Sequence, residues 1–252
     1  MPPRDLRTRL AKRSIKAGFC LSDDLTAGLT AYYDLLARWN SKINLTALDN
    51  PDEAIDRLLL EPVVAARQMP PGPVRLMDVG SGGGSPAIPL ALTHGPQTEL
   101  TMVEVKARKS AFLREAVRTL NLPTSSVETT RFEELLARPE LHEHFDVLSM
   151  RAVKVEGKVL VSLQAFLKPG GVILLFRGPS GPEAPEGVIP PLEWKTTLPL
   201  VQSLRSRLTV LTKRSHGNVS RGTSESVELA LPPGVQQVGR LKYNRASRKP
   251  KA

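Results

Sequence analysis

The stretch 74-VRLMDVGSGGGSPAIPLAL-92 passes from an apolar run into a cluster of glycines and on into an apolar run with helical spacing. A strand that ends in a glycine turn and feeds a helix leaves backbone N–H groups bare, so a nucleotide-like ligand can approach the main chain there. The glycines admit two registers. Gly82-x-Gly84-x-x-Ala87 satisfies a dinucleotide fingerprint, with Glu104 at the end of the next strand placed to bond a ribose hydroxyl. Asp78-x-Gly80-x-Gly82-x-Gly84 puts an acid on the strand before a wider loop that suits an amino-acid group, and then the cofactor is S-adenosylmethionine.

Outward from this turn the chain alternates strand and helix. Apolar runs at 74–79, 99–105, 126–130, 145–150 and 171–176 are separated by helical periods, the clearest in 106-KARKSAFLREAVRTLNL-122. Such interleaving predicts an α/β fold, a Rossmann-like and mostly parallel sheet covered on both faces. After the Pro/Gly-rich 179-PSGPEAPEGVIPP-191, runs at 206–213 and 225–231 predict an antiparallel end hairpin. An adenosyl ligand lying across the strand ends needs a ribose acceptor, an adenine contact and a substrate-facing residue on successive strands. Glu104, 131-RFEE-134 and 149-SMRA-152 supply them in order.

Before the sheet, 22-SDDLTAGLTAYYDLLARWNSKIN-44 places Leu25, Leu29, Tyr32, Leu36, Trp39 and Ile43 on one helix face, with Ser22 as cap. Tyr32 and Trp39 at that spacing read as core residues rather than base-stacking platforms. Asn50-Pro51-Asp52-Glu53 starts a second helix, which Pro62 is expected to kink or end. The expected organisation is a basic N-terminal arm (1–21), a helical extension (22–72), a Rossmann-like domain (73–232) and a basic, disordered tail (233–252).

Composition excludes several classes. One cysteine, Cys20, rules out an internal disulfide and a cysteine-cluster metal site, and the four histidines lack ligand spacing, so no metal is expected. No run approaches the length of a membrane span and no signal peptide is legible, which predicts a cytoplasmic protein without a membrane partner. The net charge of +10 is concentrated at the ends: residues 1–19 carry a net +5 and residues 236–252 a net +6, leaving a body of about −1. Basic arms on a neutral body suit a polyanion such as nucleic acid.

Residues 35–178 resemble the glucose-inhibited division protein B family, bacterial methyltransferases of guanine N7 in small-subunit (16S) ribosomal RNA. The resemblance rests on Trp39-Asn40 with Asn44-Leu45-Thr46, the DVGSGGGSPAIPLAL stretch, Glu104 with Lys106, Arg108, Lys109, Phe112 and Leu113, Arg131-Phe132-Glu133-Glu134, Phe145-Asp146-Val147 and Arg151-Ala152. It implies S-adenosylmethionine as cofactor and ribosomal RNA or the small subunit as partner; the chain is expected to be a monomer. It also implies that Gly80, Ser85, Phe132, Glu133 and Arg151 are cofactor positions, Ser85 replacing a larger apolar residue. The chain departs from the family at 57-RLLLEPVVA-65, at Pro86-Ala87 and at Arg177-Gly178.

Guanine N7 has an exposed lone pair, so methylation requires alignment but no general base. Arg151 and Arg131 are the candidates for orienting a phosphate, the cofactor carboxylate or the guanine edge; the other reading of each is an ion pair with Glu133, Glu134 or Asp146. Asp78 reads either as a turn cap or as a ligand contact. Two further functions stay open at this level: an RNA-binding module that keeps the fold but not the activity, and a nicotinamide dehydrogenase.

Overall fold

The computed structural model describes residues 3–47, 50–151, 157–180, 183, 187–215 and 231–238. Helix α1 (Pro3–Lys16) and strand β1 (Phe19–Leu21) lead into α2 (Asp23–Ile43). Ser22 Oγ accepts the Leu25 N–H and Asn44 closes α2 in the left-handed conformation, so both ends of this helix are satisfied locally. The predicted face is the buried one. Leu25, Leu29, Tyr32 and Leu36 enter the core, and Trp39 meets Phe112 edge-on at 5.9 Å.

Asn50 caps α3 (Pro51–Ile55), and a π-helical turn over Asp56–Leu60 joins it to α4 (Glu61–Ala65). Pro62 therefore does not end the helical path, which reaches it through the π-helical turn. Proline lacks the N–H that would bond the carbonyl four residues back, and the widened turn relieves the crowding there. The carbonyl in question, that of Leu58, accepts the Ser85 hydroxyl at 2.9 Å instead.

Strands β2 (Val74–Val79), β3 (Thr98–Val103), β4 (Ser125–Glu128), β5 (Phe145–Arg151), β6 (Leu167–Arg177), β7 (Leu192–Pro199) and β8 (Arg207–Lys213) form one sheet in the order β4-β3-β2-β5-β6-β8-β7. The first five pair in parallel, and β8 is antiparallel to both β6 and β7. Helices α5 (Ala87–His94), α6 (Ala107–Thr119), α7 (Phe132–Leu135) and α8 (Gly157–Leu163) fill the connections. The end hairpin differs from expectation in one partner. Residues 207–213 pair with 192–199, a strand whose polar alternation between two prolines hid it; 225–230 lie outside the described residues.

One apolar core joins α1, α2, α3 and α4 to α5, α6 and one sheet face, and a second covers the other face around Met77, Leu148, Phe166 and Ile173. The N-terminal segment is not a free basic arm. Leu6 and Leu10, one helical turn apart, are fully buried, and the arginines between them turn to carboxylates. Arg7 pairs with Asp23, Arg9 with Asp5 and Asp52, and Arg13 with Asp52 and Asp56. Strand β9 (Val235–Gln237) pairs antiparallel with β1, so the start of the expected tail is also ordered. Its cations Arg240, Lys242, Arg245, Arg248, Lys249 and Lys251 lie outside the described residues.

Candidate active site

Parallel pairing brings the carboxyl ends of the central strands level. Val79 lies opposite Val103 and Met150, Val103 opposite Glu128, and Arg151 opposite Phe176, so the segments after β2, β3, β4 and β5 open on one edge. Ligand crevices of doubly wound sheets lie at such an edge. A groove of about 250 Å³ occupies it, lined by the turn from Gly80 to Gly83 with Ser85, by Leu36, Leu45, Thr46, Arg57 and Leu58 of the helical layer, and by Lys109 and Arg151.

The glycine turn is held from three sides. Gly80 and Ser81 donate backbone N–H groups to the Val103 carbonyl at 2.9 and 3.0 Å, extending the sheet past its last paired residues. The buried Tyr32 hydroxyl donates to the Gly83 carbonyl at 2.6 Å, so a core residue of α2 also pins the loop. Burial raises this phenol well above its ordinary range, which keeps it a donor. Gly80, Gly82 and Gly84 all have positive φ, yet their surroundings differ. A Cβ on Gly82 would meet only Gly80 O at 3.7 Å and Lys109 Nζ at 3.8 Å, whereas one on Gly84 would strike Ile88 Cδ1 at 2.7 Å. Gly82 faces the groove; Gly84 packs the turn onto α5.

Glu104 is buried and accepts two backbone N–H groups, Gly82 at 2.9 Å on one oxygen and Lys106 at 2.8 Å on the other. It ties the glycine turn to the start of α6. A carboxylate has about four acceptor positions, so two remain for a ribose diol.

Arg151 ends β5 and forms an ion pair through Nη1 with Glu61 of α4; their side chains are 16% and 3% exposed. Its guanidinium stacks on Phe176 at 4.6 Å. Of the expected partners, Glu134 accepts from Thr130, and Asp146 accepts from Lys168 and the Arg75 N–H. Nε and Nη2, which lie on one edge of the guanidinium, are buried with no hydrogen-bond partner. That edge is a two-donor fork matched to a carboxylate.

Asp78 neither caps the turn nor reaches a turn amide through its side chain. Its Oδ1 accepts the Ser149 hydroxyl at 2.5 Å, and Oδ2 is buried without a partner. Burial pushes its carboxyl up to about 6, against the opposing pull of the Ser149 and Ser81 hydroxyls and of Arg151.

The remaining candidates spread outward. Ser85 lines the groove while its hydroxyl is directed to Leu58. Phe132 is half-buried against the second core, and Glu133 is exposed in the first turn of α7. Arg131 stands at the N-cap position of that helix without a side-chain capping bond, is exposed and carries no ion pair among the described residues. None of these three lines the groove, and Ala152 lies outside the described residues.

Glu61, Arg57 and the Tyr32 hydroxyl escaped the sequence reading. Glu61 stood in 57-RLLLEPVVA-65, which read only as a departure. A lone acid inside an apolar helical run is itself a signal, because a buried carboxylate requires a partner. Among the described residues no cluster of three or more His, Cys, Asp or Glu could hold a metal, and no helix is long and apolar enough to cross a membrane.

The family model of GidB, rRNA small subunit methyltransferase G, matches residues 26–184. Ribosomal RNA small subunit methyltransferase G of Xanthomonas axonopodis pv. citri is 36% identical over 173 residues, 69% of this chain and 76% of the relative. The protein of the same name from Xylella fastidiosa is 37% identical over 163 residues, covering 65% of this chain and 73% of that one. A solved SAM dependent methyltransferase from Aquifex aeolicus superposes with a TM-score of 0.50 at 15% identity, over 70% of this chain and 97% of that chain, a likeness of fold.

Proposed function

The chain belongs to the rRNA small subunit methyltransferase G family, and from that premise we propose that it methylates N7 of a guanine in small-subunit ribosomal RNA. It is an S-adenosylmethionine-dependent rRNA methyltransferase.

The residues at the strand ends fit this cofactor. The buried, unpartnered Nε and Nη2 of Arg151 form a fork for the carboxylate of its amino-acid moiety. The open space over Gly82 admits a ligand against the main chain. Glu104 retains lone pairs for ribose hydroxyls, and the start of α7, Phe132 and Glu133, follows β4 where an adenine would lie. Once bound, S-adenosylmethionine would supply an electrophilic methyl to the guanine N7 lone pair, with S-adenosylhomocysteine as the leaving group and the sulfonium's positive charge passing to the guanine.

The protein's contribution is alignment. Arg151 is assigned to the carboxylate rather than the guanine, because a donor on N7 would occupy the lone pair that must attack. Arg57 and Lys109 on the groove wall supply positive charge for the RNA phosphates, and the exposed Arg131 adds to it from the next loop. The basic residues 240–252 hold RNA without reading its sequence, and a single chain acts on each RNA.

The observation that carries this reading is the Arg151 fork, buried beside the glycine turn with its third nitrogen fixed by Glu61. Calorimetric titration with S-adenosylmethionine tests it. Wild-type protein binds, Arg151→Ala loses at least tenfold in affinity, and equal binding by both removes the assignment.

A further inference from the structure

A second cavity opens on the same edge of the sheet, beyond the methyl-transfer groove. It has a volume of about 560 Å³ and lies between the end of α1 and the β7–β8 connection, lined by Lys16, Ala17, Pro199, Leu200, Val201, Gln202, Arg205, Ser206 and Arg207. Its place follows from strand register. Arg151 is opposite Phe176 on β6, the next residue Arg177 is opposite Arg207 on β8, and Arg207 is opposite Pro199 on β7. Two strand spacings, about 10 Å, separate the end of β5 from the start of β8.

The chemistry of this cavity is one-sided. Three cations line it and no acid does; Asp56, in the small cleft alongside, is already engaged by Arg13 and by the Ser203 hydroxyl. Lys16 and Arg205 are exposed and carry no ion pair among the described residues. Arg177 and Arg207 stand side by side on adjacent strands, and burial together with the charge of Arg207 lowers the Arg177 guanidinium from its ordinary value. Ser206, 6% exposed, lines the cavity with a buried hydroxyl that has no hydrogen-bond partner. Pro199, Leu200 and Val201 form an apolar wall.

We propose that this cavity seats a phosphodiester of the RNA substrate, with Lys16 and Arg205 neutralising the phosphate, the Ser206 hydroxyl donating to it, and the apolar wall receiving the adjoining ribose. The inference rests on the rRNA methyltransferase reading and adds a docking point that the methyl-transfer groove does not contain. It makes α1 part of the substrate surface through Lys16, although most of the helix's other cations are paired internally.

The test compares wild-type protein with the double variant Lys16→Ala/Arg205→Ala, the charge-preserving pair Lys16→Arg/Arg205→Lys, and Ser206→Ala. Each is assayed for binding to small-subunit rRNA across a salt series and for S-adenosylmethionine affinity. The double alanine variant is expected to bind RNA at least tenfold more weakly at low salt, with the slope of log affinity against log salt shallower by about 0.7 to 0.9, one neutralised phosphate. The charge-preserving pair keeps the wild-type slope. Ser206→Ala weakens RNA binding severalfold with the slope unchanged, and cofactor affinity holds in all. If wild-type protein methylates rRNA while the double alanine variant shows an unchanged slope and affinity, the cavity is not an RNA seat. If wild-type protein neither binds nor methylates rRNA, the underlying functional reading fails instead.

Discussion

Glu61, buried at the start of α4, holds Nη1 of Arg151 at the end of β5, so a residue of the helical layer fixes the angle of the arginine that lines the groove beside the glycine turn. Breaking a buried pair leaves an uncompensated charge, which costs about 3–5 kcal/mol. Glu61→Ala is therefore expected to lose stability of that order in urea unfolding and to bind S-adenosylmethionine at least tenfold more weakly. Glu61→Gln keeps an acceptor for Nη1 and recovers part of both. Wild-type cofactor affinity in a folded Glu61→Ala protein would show that Arg151 holds its angle without this partner.

The glycines separate binding from packing. At Gly82, φ is 52° and the space for a side chain is open, so Gly82→Val strains the backbone by roughly 1–2 kcal/mol and fills the ligand's approach. Calorimetry should find cofactor binding abolished in a folded protein. Gly84→Ala acts the other way: its Cβ meets Ile88 Cδ1 at 2.7 Å, so stability falls more than affinity. Normal cofactor binding by Gly82→Val would sink the assignment of this loop.

Glu104→Ala removes the acceptor for the Gly82 and Lys106 N–H groups as well as the proposed ribose contact. Cofactor affinity should fall by about 1–3 kcal/mol, roughly 5- to 150-fold, accompanied by a loss of stability from the two orphaned donors. RNA affinity should be nearly unchanged. A parallel fall in RNA binding would mean that the residue organises the whole edge of the sheet.

Asp78 gives stability a pH dependence whose sign follows from its carboxyl, which burial pushes up to about 6 in the folded protein from the ordinary carboxylate value of 3.8. Between these limits the folded state binds a proton that the unfolded state does not. Stability from this residue is thus fully present below about 4 and is lost as pH rises through 6. Against Asp78→Asn, which does not titrate, wild-type protein should gain about 2 kcal/mol in relative stability between pH 7.5 and 4.5. Urea unfolding of both proteins at the two pH values measures the difference. A constant gap would place the titration of Asp78 outside this range.

Much of this architecture was legible in residue order. The glycine turn, the strand–helix alternation, the capped α2 with Tyr32 and Trp39 inward, and Glu104 at a strand end all follow from local pattern, which is where periodicity and turn chemistry act. The pairing of residues 192–199 with 207–213 was not legible, because a polar edge strand has little apolar signal and its partner is a matter of register. Nor was the burial of α1. Charge counting marked its arginines as a free arm, whereas Asp52 and Asp56 that neutralise Arg13 lie about forty residues further on. The Glu61–Arg151 pair spans ninety residues and joins two layers. Sequence could mark each charge as anomalous, but only the fold makes one the partner of the other.

The central claim is tested most directly by incubating the protein and S-adenosylmethionine carrying an isotopically labelled methyl with small-subunit rRNA and small ribosomal subunits from a strain lacking the protein, then mapping the product by mass spectrometry. The account predicts one labelled methyl on N7 of a single guanine, present with wild-type protein and absent with Arg151→Ala. A label on another atom or another nucleotide class, or no transfer to either substrate, would contradict it.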